Sequence, residues 1–131
     1  MPTTPVLNPQ VVQELVDSLE APFVIELVNT FLEDSPHLVD QIHQGIRNNE
    51  TEQVHRAAHT LKSLSNTFGL EQLGPLCQEL EKLSAHDELP EGTKSAAQDT
   101  ETAYRNARQA LADFRQELAP VTAHSSRPRE S

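Results

Sequence analysis

Apolar residues recur every three or four positions along almost the whole chain, and this period constrains the fold more than any other feature. A helix turns about 100° per residue, so this spacing gathers apolar side chains on one face that must be buried. The 131 residues include only 4 glycines and no tryptophan, whereas the helix-favouring residues Leu, Ala, Glu and Gln are frequent. The sequence therefore predicts a single all-α domain.

Capping residues and prolines divide the chain into five predicted helices. These helices cover approximately residues 9–19, 22–47, 51–68, 71–84 and 93–118. A local kink is expected at Pro36, inside the second helix. Short connections between amphipathic helices indicate an antiparallel four-helix bundle with an additional N-terminal helix. Residues 8–119 are assigned to this bundle, residues 1–7 to a flexible arm, and residues 120–131 to a flexible tail.

Charge and cysteine content exclude several classes of function. The net charge of -10 and the sequence pI near 4.9 oppose binding to phosphate backbones, so nucleic acid is not an expected partner. No apolar run approaches the ~20 residues that span a bilayer, so no membrane association is expected. The single cysteine, Cys77, excludes an internal disulfide and is expected to be buried and inert. We expect a cytoplasmic protein.

One histidine lies on the side of its helix that faces away from the apolar stripe. On the third predicted helix, His59 is about 160° from the centre of that stripe. His55 and Ser63 lie one turn before and after it, and Arg56 and Lys62 bring positive charge toward the ring. The imidazole is therefore predicted to be exposed and available for chemistry.

The sequence around this histidine resembles a known family signature. Residues 58–69 read AHTLKSLSNTFG, and residues 76–81 read LCQELE. These runs resemble the pattern of histidine-containing phosphotransfer (HPt) domains, A-H-x-L-K-G-S-S-x-x-x-G, followed by a leucine and a small or Cys position before L-E. The run FLEDSPHL at residues 31–38 is also similar to a segment of that family, F-L-E-D-x-P-x-L.

This resemblance implies a phosphorelay carrier without ATP-dependent kinase activity of its own. Its partners would be receiver domains of response regulators and a hybrid sensor histidine kinase, and the chain would act as a monomer. No stably bound cofactor or metal is implied, and Mg²⁺ is expected from the partner receiver domain. The glycine pattern agrees independently, because the four glycines are too widely separated for a phosphate-cradling loop.

The resemblance also implies roles for individual residues. His59 would accept and donate the phosphoryl group, and Lys62 would offset its negative charge. Supporting roles in space or hydrogen bonding fall to Ser63, Ser65 and Gly69. The partner-binding surface is predicted to include His55, Arg56 and Ile42.

Three alternatives compete with this prediction. Ser63 and Leu64 stand where the family usually has Gly and Ser, which favours a degenerate helical interaction module that binds a receiver or kinase without carrying phosphate. His55 and His59 have the spacing of helical metal ligands, but the sequence offers no further ligands beside them. A serine hydrolase would need a G-x-S-x-G turn, which the sequence lacks.

Overall fold

The protein folds into five helices and no strand over the residues described. The computed structural model describes the backbone of residues 4–126 and the side chains of residues 4–119. The helices are α1 (Pro9–Leu19), α2 (Ala21–Arg47), α3 (Thr51–Phe68), α4 (Leu73–Leu83) and α5 (Thr93–Ser126). Helices α2 to α5 form the antiparallel bundle, and α1 packs at one end of it against α2 and α3. The predicted fold class is confirmed.

The start of α1 is fixed by local signals in the sequence and by one contact to a distant turn. The Asn8 side chain accepts a hydrogen bond from the Gln10 backbone N–H at 2.9 Å, and Pro9 occupies the first turn, where its missing N–H costs nothing. The Asn8 backbone N–H donates to the Gly69 carbonyl at 2.8 Å, and its side-chain amide donates to Glu71 at 2.6 Å. Helix α1 is thereby tied to the connection between α3 and α4.

The core is built from one buried face of each bundle helix. Phe31 on α2 packs edge-on against Phe68 on α3, with ring centroids 5.7 Å apart. The largest fully buried side chains are Phe31, Phe68, Leu61, Leu70, Leu73, Leu80 and Leu111.

Among the described residues, no helix combines the length and the apolar character needed to cross a membrane.

A proline inside α2 is accommodated by a side chain from α5. Pro36 has no N–H, so the carbonyl of Leu32, four residues earlier, lacks its ordinary helical donor. Arg108 supplies a replacement, because its Nη1 donates to the Leu32 oxygen at 2.9 Å and to the Tyr104 hydroxyl at 3.0 Å. The Tyr104 hydroxyl also lies 2.7 Å from the buried Ser35 hydroxyl. Helix α2 therefore continues through Pro36, as the sequence predicts.

The two ends of the bundle differ from the predicted arm and tail. Helix α5 continues through Ser126, past the predicted end of the ordered domain near Pro120. Proline has a φ angle compatible with a helix and lacks one backbone N–H. A single proline therefore removes one helical hydrogen bond and does not have to end the helix. Within the predicted arm, Val6 and Leu7 are partly buried against the core. Residues 1–3 and 127–131 lie outside the described residues.

Candidate functional site

A tight reversal between α3 and α4 brings the two helices side by side. Gly69 follows α3 with φ 68° and ψ 37°, a left-handed conformation that glycine adopts without steric cost. The Leu70 N–H donates to the Ser65 carbonyl at 2.8 Å, so this carbonyl in the last turn of α3 has a hydrogen-bond partner. The Leu70 side chain is buried. The predicted stop at Gly69 is confirmed, and α4 runs antiparallel to α3.

This reversal places a carboxylate of α4 against two functional candidates of α3. One oxygen of Glu81, Oε2, lies 2.6 Å from His59 Nδ1, and the other, Oε1, lies 2.6 Å from Lys62 Nζ. The Glu81 side chain is 14% exposed, whereas that of His59 is 61% exposed. One carboxylate thus holds both the imidazole and the amine, while the ring stays open to solvent.

Glu81 also determines which ring nitrogen of His59 is free. The hydrogen bond from Lys62 lowers the pKa of the Glu81 carboxyl below its ordinary value, and the hydrogen bond from His59 adds to this effect against the cost of burial. An ionised carboxylate only accepts hydrogen bonds, so His59 must donate through Nδ1–H. In the neutral ring, the unprotonated nitrogen is therefore Nε2, which carries the lone pair needed by a nucleophile.

His55 and Arg56 lie near this cluster and make different contacts. His55 Nδ1 donates to the Glu81 backbone carbonyl at 3.1 Å, and the His55 side chain is 46% exposed. Arg56 is more exposed, and its guanidinium lies 3.9 Å from Glu52 on the same helix. Both side chains lie on the surface, where the sequence predicts them; their contact with a partner stays a prediction.

Comparison with known proteins identifies the family and supports the fold of the chain. A sequence model of the Hpt domain matches residues 26–119, which is most of the chain. The chain belongs to the Hpt domain family. Its fold is similar to the crystal structure of histidine-containing phosphotransfer protein B (HptB) from Pseudomonas aeruginosa PAO1, with a TM-score of 0.79. The two sequences are 23% identical over 88% of this chain and 98% of that one. No match was found among curated proteins.

Glu81 is the residue of this HPt site that the sequence prediction missed. It ends the LCQELE run, for which the sequence predicts no individual role. A usable signal was present, since His59 and Glu81 lie at nearly equal distances on either side of Gly69. In an antiparallel helical hairpin, residues placed symmetrically about the turn come to the same level. The symmetry places Glu81 beside His59.

Two residues predicted to serve the site are instead buried in the HPt core. Ser65 is fully buried, because six residues of helix place it about 120° around the helix axis from His59, and its hydroxyl donates to the Leu61 carbonyl at 2.7 Å. Ile42 is only 2% exposed, since it belongs to the apolar face that α2 turns to the core. The predicted partner contact of Ile42 is therefore wrong, whereas the supporting role of Ser65 in space or hydrogen bonding stays a prediction.

The two departures from the family pattern occupy different environments. Ser63 is exposed one turn after His59, and its backbone carbonyl accepts a hydrogen bond from the Thr67 hydroxyl. Leu64 is partly buried and packs against the core. Leu64 thus contributes to packing, while Ser63 alters the surface beside the reactive ring.

Cys77 is a core residue of this HPt domain rather than a reactive thiol. Its side chain is fully buried, and burial raises the pKa of the thiol to about 12, against a smaller lowering effect of the hydrogen bond with Ser65. A thiol that stays protonated at neutral pH is a poor nucleophile. The predicted inert role of Cys77 is confirmed.

Proposed function

We propose that this HPt protein is an intermediate of a multistep phosphorelay. His59 receives a phosphoryl group from the aspartyl phosphate of one receiver domain and passes it to the aspartate of another. The carrying observation is the placement of the His59 ring, which is 61% exposed and anchored through Nδ1, so that Nε2 is the nitrogen turned away from Glu81. A receiver can reach such a nitrogen without any opening of the bundle.

The transfer step uses the tautomer that Glu81 selects. The Nε2 lone pair attacks phosphorus, a P–N bond forms, and the P–O bond to the receiver aspartate breaks, so the bonding electrons leave with the carboxylate. Positive charge develops on the ring during this step and lies next to the Glu81 carboxylate at 2.6 Å. The reverse sequence of bond changes returns the phosphoryl group to a second aspartate.

Lys62 provides a positive charge that shares the Glu81 carboxylate with the His59 ring. Its Nζ lies 2.6 Å from Glu81 Oε1, and the other oxygen of the same carboxylate holds His59. In the resting protein, Lys62 therefore fixes Glu81, and Glu81 fixes the ring. We propose that Lys62 also interacts with the incoming phosphoryl oxygens, whose charge a cation at this place stabilises.

The remaining components of the reaction belong to the partners. The receiver domain supplies the aspartate and the Mg²⁺ ion that neutralises phosphoryl charge. The phosphoryl group originates in a hybrid sensor histidine kinase, which carries out the ATP chemistry. We assign the exchange to the cytoplasm and to a monomeric HPt protein.

A phosphotransfer assay with variants of two exposed histidines tests this proposal. The wild-type chain is incubated with a panel of phosphorylated receivers and Mg²⁺, and an acid-labile, alkali-stable phosphate is expected to form on it. The His59→Gln variant should lose this phosphate, whereas His86→Gln is the matched control at an exposed histidine and should retain it. Circular dichroism establishes that both variants keep the helical fold.

The alternative, an interaction module that does not carry phosphate, predicts a different outcome. Such a protein would bind a receiver and yet show no phosphate on any histidine in the same assay. The exposed Ser63 beside the ring is the observation that favours this alternative. If Ser63 prevents transfer, a Ser63→Gly variant should gain a label that the wild type lacks. In a carrier whose partner choice Ser63 narrows, the wild type is labelled and the variant accepts phosphate from further receivers.

The roles of Glu81 and Lys62 are separated by their own variants. Glu81→Gln keeps an oxygen that accepts a hydrogen bond from His59 Nδ1–H, whereas Glu81→Leu has no acceptor for it. The rate of transfer should therefore fall less in Glu81→Gln than in Glu81→Leu. Lys62→Ala should slow transfer in both directions. If Glu81→Gln and Glu81→Leu transfer at equal rates, selection of the tautomer by Glu81 is wrong.

A further inference from the structure

His55 lies one turn before His59 on α3 and faces the same residue of α4. Its Nδ1 donates to the Glu81 backbone carbonyl at 3.1 Å and lies 3.5 Å from the Ser84 hydroxyl. Its other nitrogen, Nε2, lies 4.0 Å from Glu81 Oε2. The same oxygen lies 2.6 Å from His59 Nδ1. Two imidazoles of α3 therefore face one carboxylate oxygen of α4.

The two rings present opposite nitrogens to this oxygen. His59 turns Nδ1 toward Glu81, whereas His55 turns Nε2 toward it. A phosphoryl group on His55 Nε2 would meet the negative charge of the carboxylate, and His55 Nδ1 is engaged by the backbone carbonyl. His55 is therefore poorly placed to carry phosphate, but a positive charge on its ring would lie next to the carboxylate that anchors His59.

Charged groups surround His55 on two sides. Those that share a shallow cavity with it beside the loop after α4 are Glu50, Glu52, Arg56, His86 and Asp87. Those in a smaller hollow on the α4 side are Lys62, Glu81 and Lys82. The carboxylates of the first set are exposed, so water screens their charge, whereas the Glu81 side chain is only 14% exposed. Glu81 is thus the carboxylate through which the charge of His55 reaches His59.

We propose that His55 is a positioning residue whose protonation keeps the His59 ring neutral. The charge of an imidazole ordinarily changes between about pH 5 and 8. A proton on His55 Nε2 places a positive charge beside Glu81 Oε2, which opposes a second positive charge on His59. A larger fraction of His59 then stays neutral in mild acid, and the neutral ring is the form with a lone pair on Nε2.

The same charge lengthens the lifetime of the phosphorylated ring, a consequence that rests on the proposed function. In hydrolysis, water attacks phosphorus, the P–N bond breaks, and its electron pair returns to His59 Nε2. A proton on Nδ1 makes the departing ring a neutral imidazole, whereas without this proton the ring would have to leave as an anion. Because protonated His55 disfavours the positively charged ring, it slows the loss of phosphate to water.

The first test needs no phosphate and uses the full-length protein. At about pH 6.5, the ring ¹⁵N chemical shifts of His59 give the ratio of protonated to neutral rings. His55→Gln keeps a donor for the Glu81 carbonyl and carries no charge, whereas His55→Lys is always charged at this pH. The ratio should be about two- to fivefold higher in His55→Gln than in His55→Lys, with the wild type between them.

The second test follows the phosphorylated protein after the receiver and Mg²⁺ have been removed. At about pH 6, the half-life of the phosphate should be about two- to fivefold longer in His55→Lys than in His55→Gln, again with the wild type between them. His86→Gln is the matched control, because it removes another imidazole from the cavity beside the loop after α4, and it should behave like the wild type.

Three results of the first test would overturn the proposal. They are an unchanged ratio in both His55 variants, a shift of the ratio in the same direction in both, and a shift in His86→Gln equal to that in His55→Gln. A merely structural role of His55 would move both of its variants the same way. If the chain takes up no phosphate at all, the phosphorelay proposal fails, and the ratio measured without phosphate still decides the role of His55.

Discussion

Replacement of Arg108 by methionine should destabilise the bundle, and the size of the loss should depend on Pro36. The methionine keeps an unbranched apolar stem of similar course but removes the donor that reaches the Leu32 carbonyl at 2.9 Å. A hydrogen bond from a charged donor contributes about 1.5–3 kcal/mol. The guanidinium also lies 5.8 Å from the centre of the Tyr104 ring, which adds about 0.5–1 kcal/mol. Arg108→Met should therefore lower the free energy of unfolding by about 2–4 kcal/mol.

Because Pro36 has no backbone N–H, we also expect that Pro36→Ala stabilises the protein. A proline inside a helix costs about 3 kcal/mol, and alanine at this exposed position regains an N–H for the Leu32 carbonyl. The greater freedom of alanine in the unfolded chain takes back about 1 kcal/mol, so a net gain of about 2 kcal/mol is expected. In this background, Leu32 keeps a partner when Arg108 is removed.

A double-mutant cycle measures the coupling between the two positions. Urea unfolding followed by far-ultraviolet circular dichroism gives the free energy for the wild type, each single variant and the pair. Arg108→Met should cost at least about 1 kcal/mol less in the Pro36→Ala background than in the wild type, because no carbonyl is left unsatisfied. Arg115→Met serves as the control, since Arg115 donates to the Asn29 side chain rather than to a main-chain oxygen.

Additive effects would refute the dependence of the Leu32 carbonyl on Arg108. If the two substitutions change the free energy of unfolding additively to within about 0.3–0.5 kcal/mol, Arg108 stabilises the bundle only by packing and by its contact with Tyr104. The same holds if Arg115→Met shows equal coupling to Pro36. Either result would mean that α2 tolerates its proline without help from α5.

Three further predictions concern the site and its supporting turn. Lys62 and His59 lower the pKa of Glu81, so the ionised carboxylate stabilises the fold above pH 4.5 and loses this effect as the pH falls through the lowered pKa. The difference in the free energy of unfolding between the wild type and Glu81→Gln should therefore shrink below pH 4.5 in urea titrations. A difference that stays constant with pH would contradict this prediction. Gly69→Ala should cost at least about 1–2 kcal/mol, because its φ is 68° and a Cβ would lie 2.7 Å from Val11 Cβ; an unchanged urea midpoint would show that the turn relaxes freely. Cys77 should resist a thiol reagent in the native protein and react as urea unfolds it, whereas fast native labelling would mean that the core opens there.

The features that the sequence predicts correctly depend on residues close together in the chain. The end of α3 at Gly69 follows from a single residue that tolerates a left-handed backbone. The exposure of His59 follows from its angle to the apolar stripe of the same helix. The start of α1 at Pro9 likewise follows from the cap residue before it. Such features need no knowledge of how the helices pack.

The missed features depend on how the helices pack against one another. The contact of Glu81 with His59 requires the register of α4 on α3. The burial of Ile42 requires knowledge of which edge of the wide apolar face of α2 meets its neighbours. The contact of Arg108 with Leu32 joins positions far apart in sequence. Periodicity within one helix determines none of these relations.

The α3 and α4 hairpin has a consequence for how relatives of this chain can diverge. His59, Lys62 and Glu81 all lie on these two consecutive helices, and the contacts among them cross a single short turn. Substitutions on the outer faces of α1, α2 and α5 therefore leave His59, Lys62 and Glu81 in place. Natural variation can change the surfaces of those helices while these three residues and their contacts are inherited as one compact unit.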